Sequence, residues 1–248
     1  MAGAGREGWL YVPVVVSLSI AAAGAARAET PATMLTICHD QALASAERLH
    51  ACTRVIEGSG DSDMRIEAYL QRGVLHEAAR NPQAALADYT EVIKIDGDNA
   101  IAYFNRGNTN DAAGAFDLAI ADYTQAIRID PKEPDFFNNR GQAFDNRGDH
   151  DQAVADYTEA ARLNPKSAQP LYNRGLSHAL KGDYPAAIAD LDRAIAIAPQ
   201  DASLFIARGA AHEEVGNLVA ARADFTRALS LEPGMEDAIE GLTRVGRD

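Results

Sequence analysis

The sequence contains few of the residues that build metal centres and active sites. Its 248 residues include two cysteines and six histidines, and these are not grouped at the close spacings of zinc ligands. It also lacks a glycine-rich phosphate loop, a serine nucleophile elbow and the HExxH and CxxC motifs. We therefore expect no metal site and no cofactor, and we predict that the protein is not an enzyme.

Basic residues are scarce as well. The chain has 23 lysines and arginines against 36 aspartates and glutamates, which gives a formal net charge of −13. Binding to nucleic-acid phosphates requires a positively charged surface. Nucleic acid is therefore excluded as an expected partner.

A long apolar run, WLYVPVVVSLSIAAAGA, lies within the first 28 residues. It follows a short segment that contains Arg6, and Ala26 and Ala28 form a small-x-small cleavage pattern. Residues 1–28 are therefore predicted to be a secretory signal peptide that is removed after Ala28. An uncleaved anchor helix is the alternative, which Pro13 disfavours because it interrupts a run already short for a bilayer.

Export makes the two cysteines informative, because an oxidising compartment favours a disulfide. Cys38 and Cys52 are 14 residues apart, which in one straight helix would separate them by about 21 Å. A disulfide needs Cα atoms within about 7 Å. If the two cysteines pair, the helix that contains Cys52 must start late, near Ser45, and residues 38–44 must fold back over it. Two free buried thiols are the alternative.

Five units of 34 residues follow, aligned on a recurring Arg-Gly pair: 66–99, 100–133, 134–167, 168–201 and 202–235. In each unit position 8 is Gly, position 20 is Ala, position 24 is bulky and mostly aromatic, and position 27 is small. Position 32 is Pro in the last four units. Small residues allow two helices to approach closely, and proline stops the second helix.

This pattern resembles the tetratricopeptide repeat (TPR), an antiparallel helix pair of 34 residues. The resemblance implies an all-α fold, a right-handed α-solenoid of stacked antiparallel helix pairs with about five TPR units plus caps. Residues 29–65 are the expected N-terminal cap, with the expected disulfide, and residues 236–248 are the expected C-terminal capping helix. Small secreted TPR proteins of Gram-negative bacteria share a cysteine-containing cap, and this likeness points to the periplasm.

Two charged positions recur in all five units. Position 7 is arginine, although the family usually has an apolar residue there, and position 23 is aspartate. The arginines are Arg72, Arg106, Arg140, Arg174 and Arg208, and the aspartates are Asp88, Asp122, Asp156, Asp190 and Asp224. We predict structural charge pairs that bridge the two helices of a hairpin, within a unit or to the next one. A row of arginines that holds an acidic ligand is the alternative.

In TPR proteins the first helix of each pair lines a concave groove, and the resemblance assigns positions 2, 5, 6, 9, 12 and 13 to it. The predicted groove residues are Phe104, Asn105, Asn108, Asn138, Asn139, Gln142, Tyr172 and Asn173. A side-chain amide both donates and accepts hydrogen bonds, so this set would suit the backbone of an extended peptide. The alternative is that the asparagines satisfy neighbouring loops and helix ends.

The expected partner is a segment of another protein that is neutral or basic rather than acidic. Positions 2 and 5 carry no lysine or arginine, and position 12 adds the acids Glu77, Asp111, Asp145 and Glu213. We therefore predict a non-catalytic scaffold. The alternatives are self-association in an envelope complex, or weak metal or small-molecule binding through His178 and His212.

Overall fold

The computed structural model describes residues 30–246, so the predicted signal peptide lies outside the described part of the chain. These residues form thirteen α-helices and no strand. The helices are α1 Pro31–His39, α2 Ser45–Gly58, α3 Ser62–Ala78, α4 Pro82–Ile95, α5 Ala100–Ala112, α6 Phe116–Ile129, α7 Pro134–Arg147, α8 His150–Leu163, α9 Gln169–Leu180, α10 Tyr184–Ile197, α11 Ala202–Glu214, α12 Leu218–Leu231 and α13 Glu236–Val245. No described helix combines the length and the apolar character needed to cross a membrane.

The chain divides into two compact units, one up to Pro131 and the other from Lys132 onward. In the first unit the α3–α4 hairpin packs on the α1–α2 pair, and the α5–α6 hairpin packs on α3–α4. In the second unit α7–α8, α9–α10 and α11–α12 are stacked hairpins, and α13 packs on the last of them. Each hairpin between α3 and α12 corresponds to one 34-residue repeat.

Position 15 reverses the chain between the two helices of a repeat. Gly114, Gly148, Gly182 and Gly216 have φ angles of +75° to +95° there, in the left-handed region that glycine enters without steric cost. The first repeat has Arg80 at this position, with φ of +56°. The first repeat therefore forms the same turn with a residue that is sterically unfavourable at positive φ.

Position 8 is where the two helices of a repeat come closest. A Cβ atom built on Gly107 would lie 2.7 Å from Cε1 of Tyr123, the aromatic residue at position 24. The Tyr123 side chain is almost fully buried, so its ring occupies the space that a larger residue at position 8 would need. The recurring glycine is therefore a packing requirement of the hairpin.

The N-terminal pair α1–α2 is a shortened hairpin closed by a disulfide between Cys38 and Cys52, whose Cα atoms lie 4.9 Å apart. Helix α2 begins at Ser45, and the backbone turns between the two helices. Arg48 also crosses the pair, with its Nε donating to the Cys38 carbonyl at 3.1 Å. Cys52 stands in the alignment where later repeats have the aromatic residue, so a covalent bond occupies the place of the ring contact.

At the other end α13 covers the last hairpin. Gly241 lies against the ring of Phe225, with 2.6 Å between a built Cβ and the ring. Arg222 on α12 donates to the Val245 carbonyl at 2.7 Å. Arg244 pairs with Glu213 through two bonds of 2.8 and 3.0 Å. Helix α13 therefore buries its small and apolar side and leaves its acidic side in solvent.

Candidate interaction surface

The recurring arginines and aspartates bind each other within each repeat. Arg106 on α5 donates from Nε to Asp122 Oδ2 at 3.0 Å and from Nη2 to Asp122 Oδ1 at 2.7 Å. The same two-bond geometry joins Arg72 to Asp88, Arg140 to Asp156, Arg174 to Asp190 and Arg208 to Asp224. The hydrogen bond to Asp122 raises the pKa of Arg106 above its ordinary value. All five aspartates are buried.

A third donor of the guanidinium reaches the preceding repeat. Nη1 of Arg106 donates to Oγ1 of Thr90 on α4 at 3.2 Å. The equivalent acceptors are Thr53 for Arg72, Thr158 for Arg174 and Asp192 for Arg208. This contact was not expected from the sequence. Its signal is position 25, which holds a hydroxyl or a carboxylate in each of these places.

These contacts disfavour the alternative in which the arginines bind an acidic ligand. An arginine side chain has five N–H donors in a planar fork, and here both edges of the fork face protein acceptors. Arg106 also lies over the ring of Tyr103, with 5.6 Å from Cζ to the ring centroid. The arginines hold their hairpins together, and Arg72, Arg106, Arg174 and Arg208 also join their hairpin to the helix pair before it.

Two of the predicted groove residues are part of the interior. Phe104 and Asn105 are each about 1% exposed, and Phe104 packs on Tyr123 with ring centroids 5.8 Å apart. Asn108 is half-buried and accepts a hydrogen bond from the Tyr123 hydroxyl at 2.7 Å. Phe104 and Asn105 therefore lack the exposed surface that the groove prediction gave them.

In the second unit the predicted amides remain at least partly accessible and form a connected run. Gln169 Nε2 donates to Asn173 Oδ1 at 2.9 Å, and Asn173 Nδ2 donates to Asn138 Oδ1 at 3.0 Å. Asn138 Nδ2 approaches Asn139 Oδ1 at 3.4 Å. Gln142 follows on the same helix, α7, and is half-buried. The run crosses from α9 to α7 and leaves further donor and acceptor capacity on its amides.

Tyr172 lies beside this run, on α9. Its side chain is half-buried. Burial, followed by the charges of Asp201 and Asp237, raises the pKa of the phenol. The predicted groove residues of the second unit, Asn138, Asn139, Gln142, Tyr172 and Asn173, are thus brought onto adjacent first helices.

The acids at position 12 are largely engaged by other side chains. Glu77 accepts the Tyr89 hydroxyl at 3.1 Å and also the hydroxyl of Thr109 on the next repeat. Burial raises the pKa of this glutamate. Glu213 is held by Arg244. Glu77 is therefore tied into a contact between repeats, and Glu213 into a contact with α13.

Asp145 repeats this arrangement in the second unit and adds a histidine. It accepts the Ser177 hydroxyl at 2.6 Å and the Tyr157 hydroxyl at 3.2 Å, and it lies 2.9 Å from Nδ1 of His150. Ser177 is fully buried and donates to Asp145 rather than to His150. Because Ser177 is fully buried, its hydroxyl has no access to a substrate, and its bond to Asp145 joins two neighbouring hairpins.

The position-11 histidines stand near the paired aspartates. His178 Nε2 lies 3.9 Å from Asp190 Oδ2, and His76 Nε2 lies at the same distance from Asp88 Oδ2. In the second repeat Asn110 takes this place and donates to Asp122 at 3.1 Å. Within residues 30–246 no group of three or more His, Cys, Asp or Glu side chains is placed to hold a metal ion.

The chain belongs to the tetratricopeptide repeat family. The family model matches residues 70–134 and 138–202, which together make up more than half of the chain. The predicted all-α helical repeat fold is thereby confirmed. No curated protein matches the sequence.

Several solved structures share the fold. MamA is 24% identical, covers 64% of this chain and 94% of its own, and has a TM-score of 0.62. YrrB, a TPR protein with an unusual peptide-binding site, is 20% identical, with 79% and 99% coverage and a TM-score of 0.65. TTC0263, a thermophilic TPR protein of Thermus thermophilus, is 22% identical, with 74% and 100% coverage and a TM-score of 0.56. At these identities the likeness concerns the fold alone.

Proposed function

We propose that this TPR protein is a non-catalytic scaffold that binds an extended segment of another protein on the first helices of its second unit. The residues that would contact the segment are Asn138, Asn139, Gln142, Tyr172 and Asn173. We call this set, together with Gln169, the amide surface. The TPR fold supports a role in protein interaction, and YrrB is a relative in fold with a peptide-binding site.

The run of side-chain amides carries the proposal. An extended peptide presents unpaired N–H and C=O groups on alternating sides, and each amide can donate and accept. The amides of Gln169, Asn173 and Asn138 are already oriented by their mutual hydrogen bonds. A surface held in position in this way loses less conformational entropy when a ligand binds. It would recognise backbone rather than a particular side chain.

The charge of the surface favours a neutral or basic segment. Positions 2 and 5 carry no lysine or arginine in any repeat, so an acidic carboxyl-terminal tail would meet no positive partner there. Asp135 lies one turn before Asn138 and Asn139 on α7 and would repel such a tail.

Export to the bacterial periplasm is part of the same proposal. The signal pattern of residues 1–28 supports it. The disulfide between Cys38 and Cys52 is compatible with an oxidising compartment.

Affinity capture from the periplasmic fraction of the source organism tests the proposal. The bait is the wild-type protein, and the comparison is the triple variant Asn138→Ala, Asn139→Ala, Asn173→Ala. We expect the wild type to retain at least one protein that the triple variant loses. Equal retention by both baits would show that the amide surface is not the binding site.

A matched control separates this effect from a general loss of amides. Gln83, Gln152 and Gln200 are exposed and lie off the first helices. The variant with all three changed to alanine should retain the captured protein. The thermal midpoints of both triple variants need to match that of the wild type within a few degrees, so that unfolding does not mimic loss of binding.

A further inference from the structure

We infer that helix α1 is an oxidation-dependent cap on the first unit. It covers the N-terminal end of that unit when Cys38 and Cys52 are joined, and it leaves this end uncovered when the two thiols are reduced. The inference goes beyond the proposed function, because it concerns the first unit and does not depend on the amide surface.

The α1–α2 pair lacks two of the contacts that hold the later hairpins together. With Cys52 aligned at the aromatic position 24, Ala51 falls at position 23, where every repeat has the paired aspartate. These two residues can supply neither a carboxylate nor an aromatic ring between the helices. The disulfide from Cys38 to Cys52 stands in their place, and the Cα atoms of the two cysteines lie 4.9 Å apart.

Helix α1 has little capacity to stay in place without that bond. It has 9 residues, and isolated helices shorter than about 12–15 residues are marginal in water. Its side chains Met34, Leu35 and Ile37 pack against the core cluster of the cap but are only half-buried. Arg48 adds a hydrogen bond to the Cys38 carbonyl at 3.1 Å. The disulfide therefore turns weak packing into a fixed cap.

Helix α2 has attachments to α3 that do not involve α1. Thr53 on α2 accepts a hydrogen bond from Nη1 of Arg72 on α3 at 3.0 Å. Val55 on α2 is fully buried in the same apolar cluster as Leu75 on α3. Loss of the disulfide should therefore release α1 while α2 stays on α3. The release uncovers part of this apolar cluster, at an end that a helical repeat array normally keeps capped.

The burial of both cysteines sets the order of events. Cys38 and Cys52 are fully buried in the closed cap, whereas thiol–disulfide exchange requires a thiolate to reach a sulfur atom. The exchange with an oxidant therefore takes place while α1 is undocked. The disulfide bond of an oxidant protein or small molecule breaks and takes up the two hydrogens of the cysteine thiols, as the bond between Cys38 and Cys52 forms. The chain completes its cap only after this reaction.

Hydrogen exchange of the backbone amides, followed by mass spectrometry, tests the inference on the purified protein. The oxidised protein is compared with protein refolded in excess dithiothreitol, which cleaves the disulfide to two thiols and is itself oxidised to a cyclic disulfide. Peptides from α1 should exchange about a hundredfold faster after reduction, the factor that closing a loop of this length contributes in the chain-entropy model. Helices α5 to α12 should keep their protection.

Two variants complete the test. The double variant Cys38→Ala, Cys52→Ala should reproduce the fast exchange of α1 without a reductant. Arg48→Gln, which removes the hydrogen bond to the Cys38 carbonyl but keeps the disulfide, is the matched control and should leave α1 protected. Equal protection of α1 in the oxidised and reduced protein would overturn the inference, because packing alone would then hold the cap. Loss of protection throughout the reduced protein would also overturn it, since α1 would then not be a separable cap.

Discussion

Arg106 and Asp122 face each other across the second repeat, joined by two hydrogen bonds of 3.0 and 2.7 Å. Asp122 is 6% exposed, so its charge depends on the guanidinium and on one further donor, Asn110. A buried ion pair of this kind contributes little net free energy against an apolar pair of the same size, but losing one partner leaves an uncompensated charge.

Arg106→Met should therefore lower the free energy of unfolding by about 3 kcal/mol, measured by urea denaturation. The double variant Arg106→Met, Asp122→Leu should recover most of that loss, because it removes the buried charge as well. If the single and double variants are equally unstable, the stranded aspartate is not the cause.

Glycine at position 8 should be needed most where an aromatic ring lies on it. A Cβ on Gly107 would be 2.7 Å from the Tyr123 ring, whereas on Gly175 the nearest atom is Cγ of Leu191 at 3.1 Å. Gly107→Ala should cost about 2 kcal/mol through overpacking, and Gly175→Ala clearly less. Thermal unfolding of the two variants compares them directly, and equal losses would argue against the ring as the obstacle.

The turn of the first repeat offers a stabilising change. Arg80 is exposed and has φ of +56° where the other repeats have glycine. A non-glycine residue pays roughly 1 kcal/mol or more for this conformation, part of which the extra freedom of glycine in the unfolded chain offsets. Arg80→Gly should raise the free energy of unfolding by about 0.5 kcal/mol. Arg80→Ala, which removes the same charge but keeps the strain, is the control and should give no such gain.

The pairing of the hairpins could be predicted from the sequence because it depends on local spacing. Gly, Ala and Pro at fixed positions define the two helices of each repeat, and Arg106 and Asp122 lie 16 residues apart on facing helices. The same spacing recurs in every repeat. Such contacts follow from the repeat itself, without knowledge of its neighbours.

The burial of the groove residues could not be predicted from the repeat spacing. Asn105 and Asn173 occupy the same position in their repeats, yet Asn105 is almost fully buried and Asn173 is half-buried and bonded to Asn138. Burial at this position depends on side chains from adjacent repeats, which differ. The hydrogen bond to Thr90 could have been predicted, because a hydroxyl recurs at position 25, two residues after the aspartate that recurs in every repeat.

Glu77 should give stability an identifiable pH dependence. Burial raises its pKa in the folded protein above the ordinary value of 4.5, so over the interval above pH 4.5 the folded state binds more protons than the unfolded state. Stability from this group is therefore greatest below that interval and falls as the pH rises through it. Glu77→Gln should flatten the fall, measured as the urea midpoint between pH 4.5 and 7.

The control for this titration is Glu159→Gln. Glu159 is half-buried, and its hydrogen bond with Arg162 lowers its pKa. Its removal should change the pH slope in the opposite direction, or by too little to detect. A flattening of equal size in both variants would mean that Glu77 is not the responsible group.

The hydrogen bond from Nη1 of a recurring arginine to the preceding helix pair changes the definition of a complete repeat. A fragment that begins at residue 168 would contain Arg174 but not Thr158, which accepts one of its N–H groups. The 34-residue unit visible in the sequence is therefore not a self-sufficient building block. The smallest complete piece is three helices long, from the second helix of one repeat to the second helix of the next. Shuffling or transplanting repeats of this protein would have to respect that overlapping boundary.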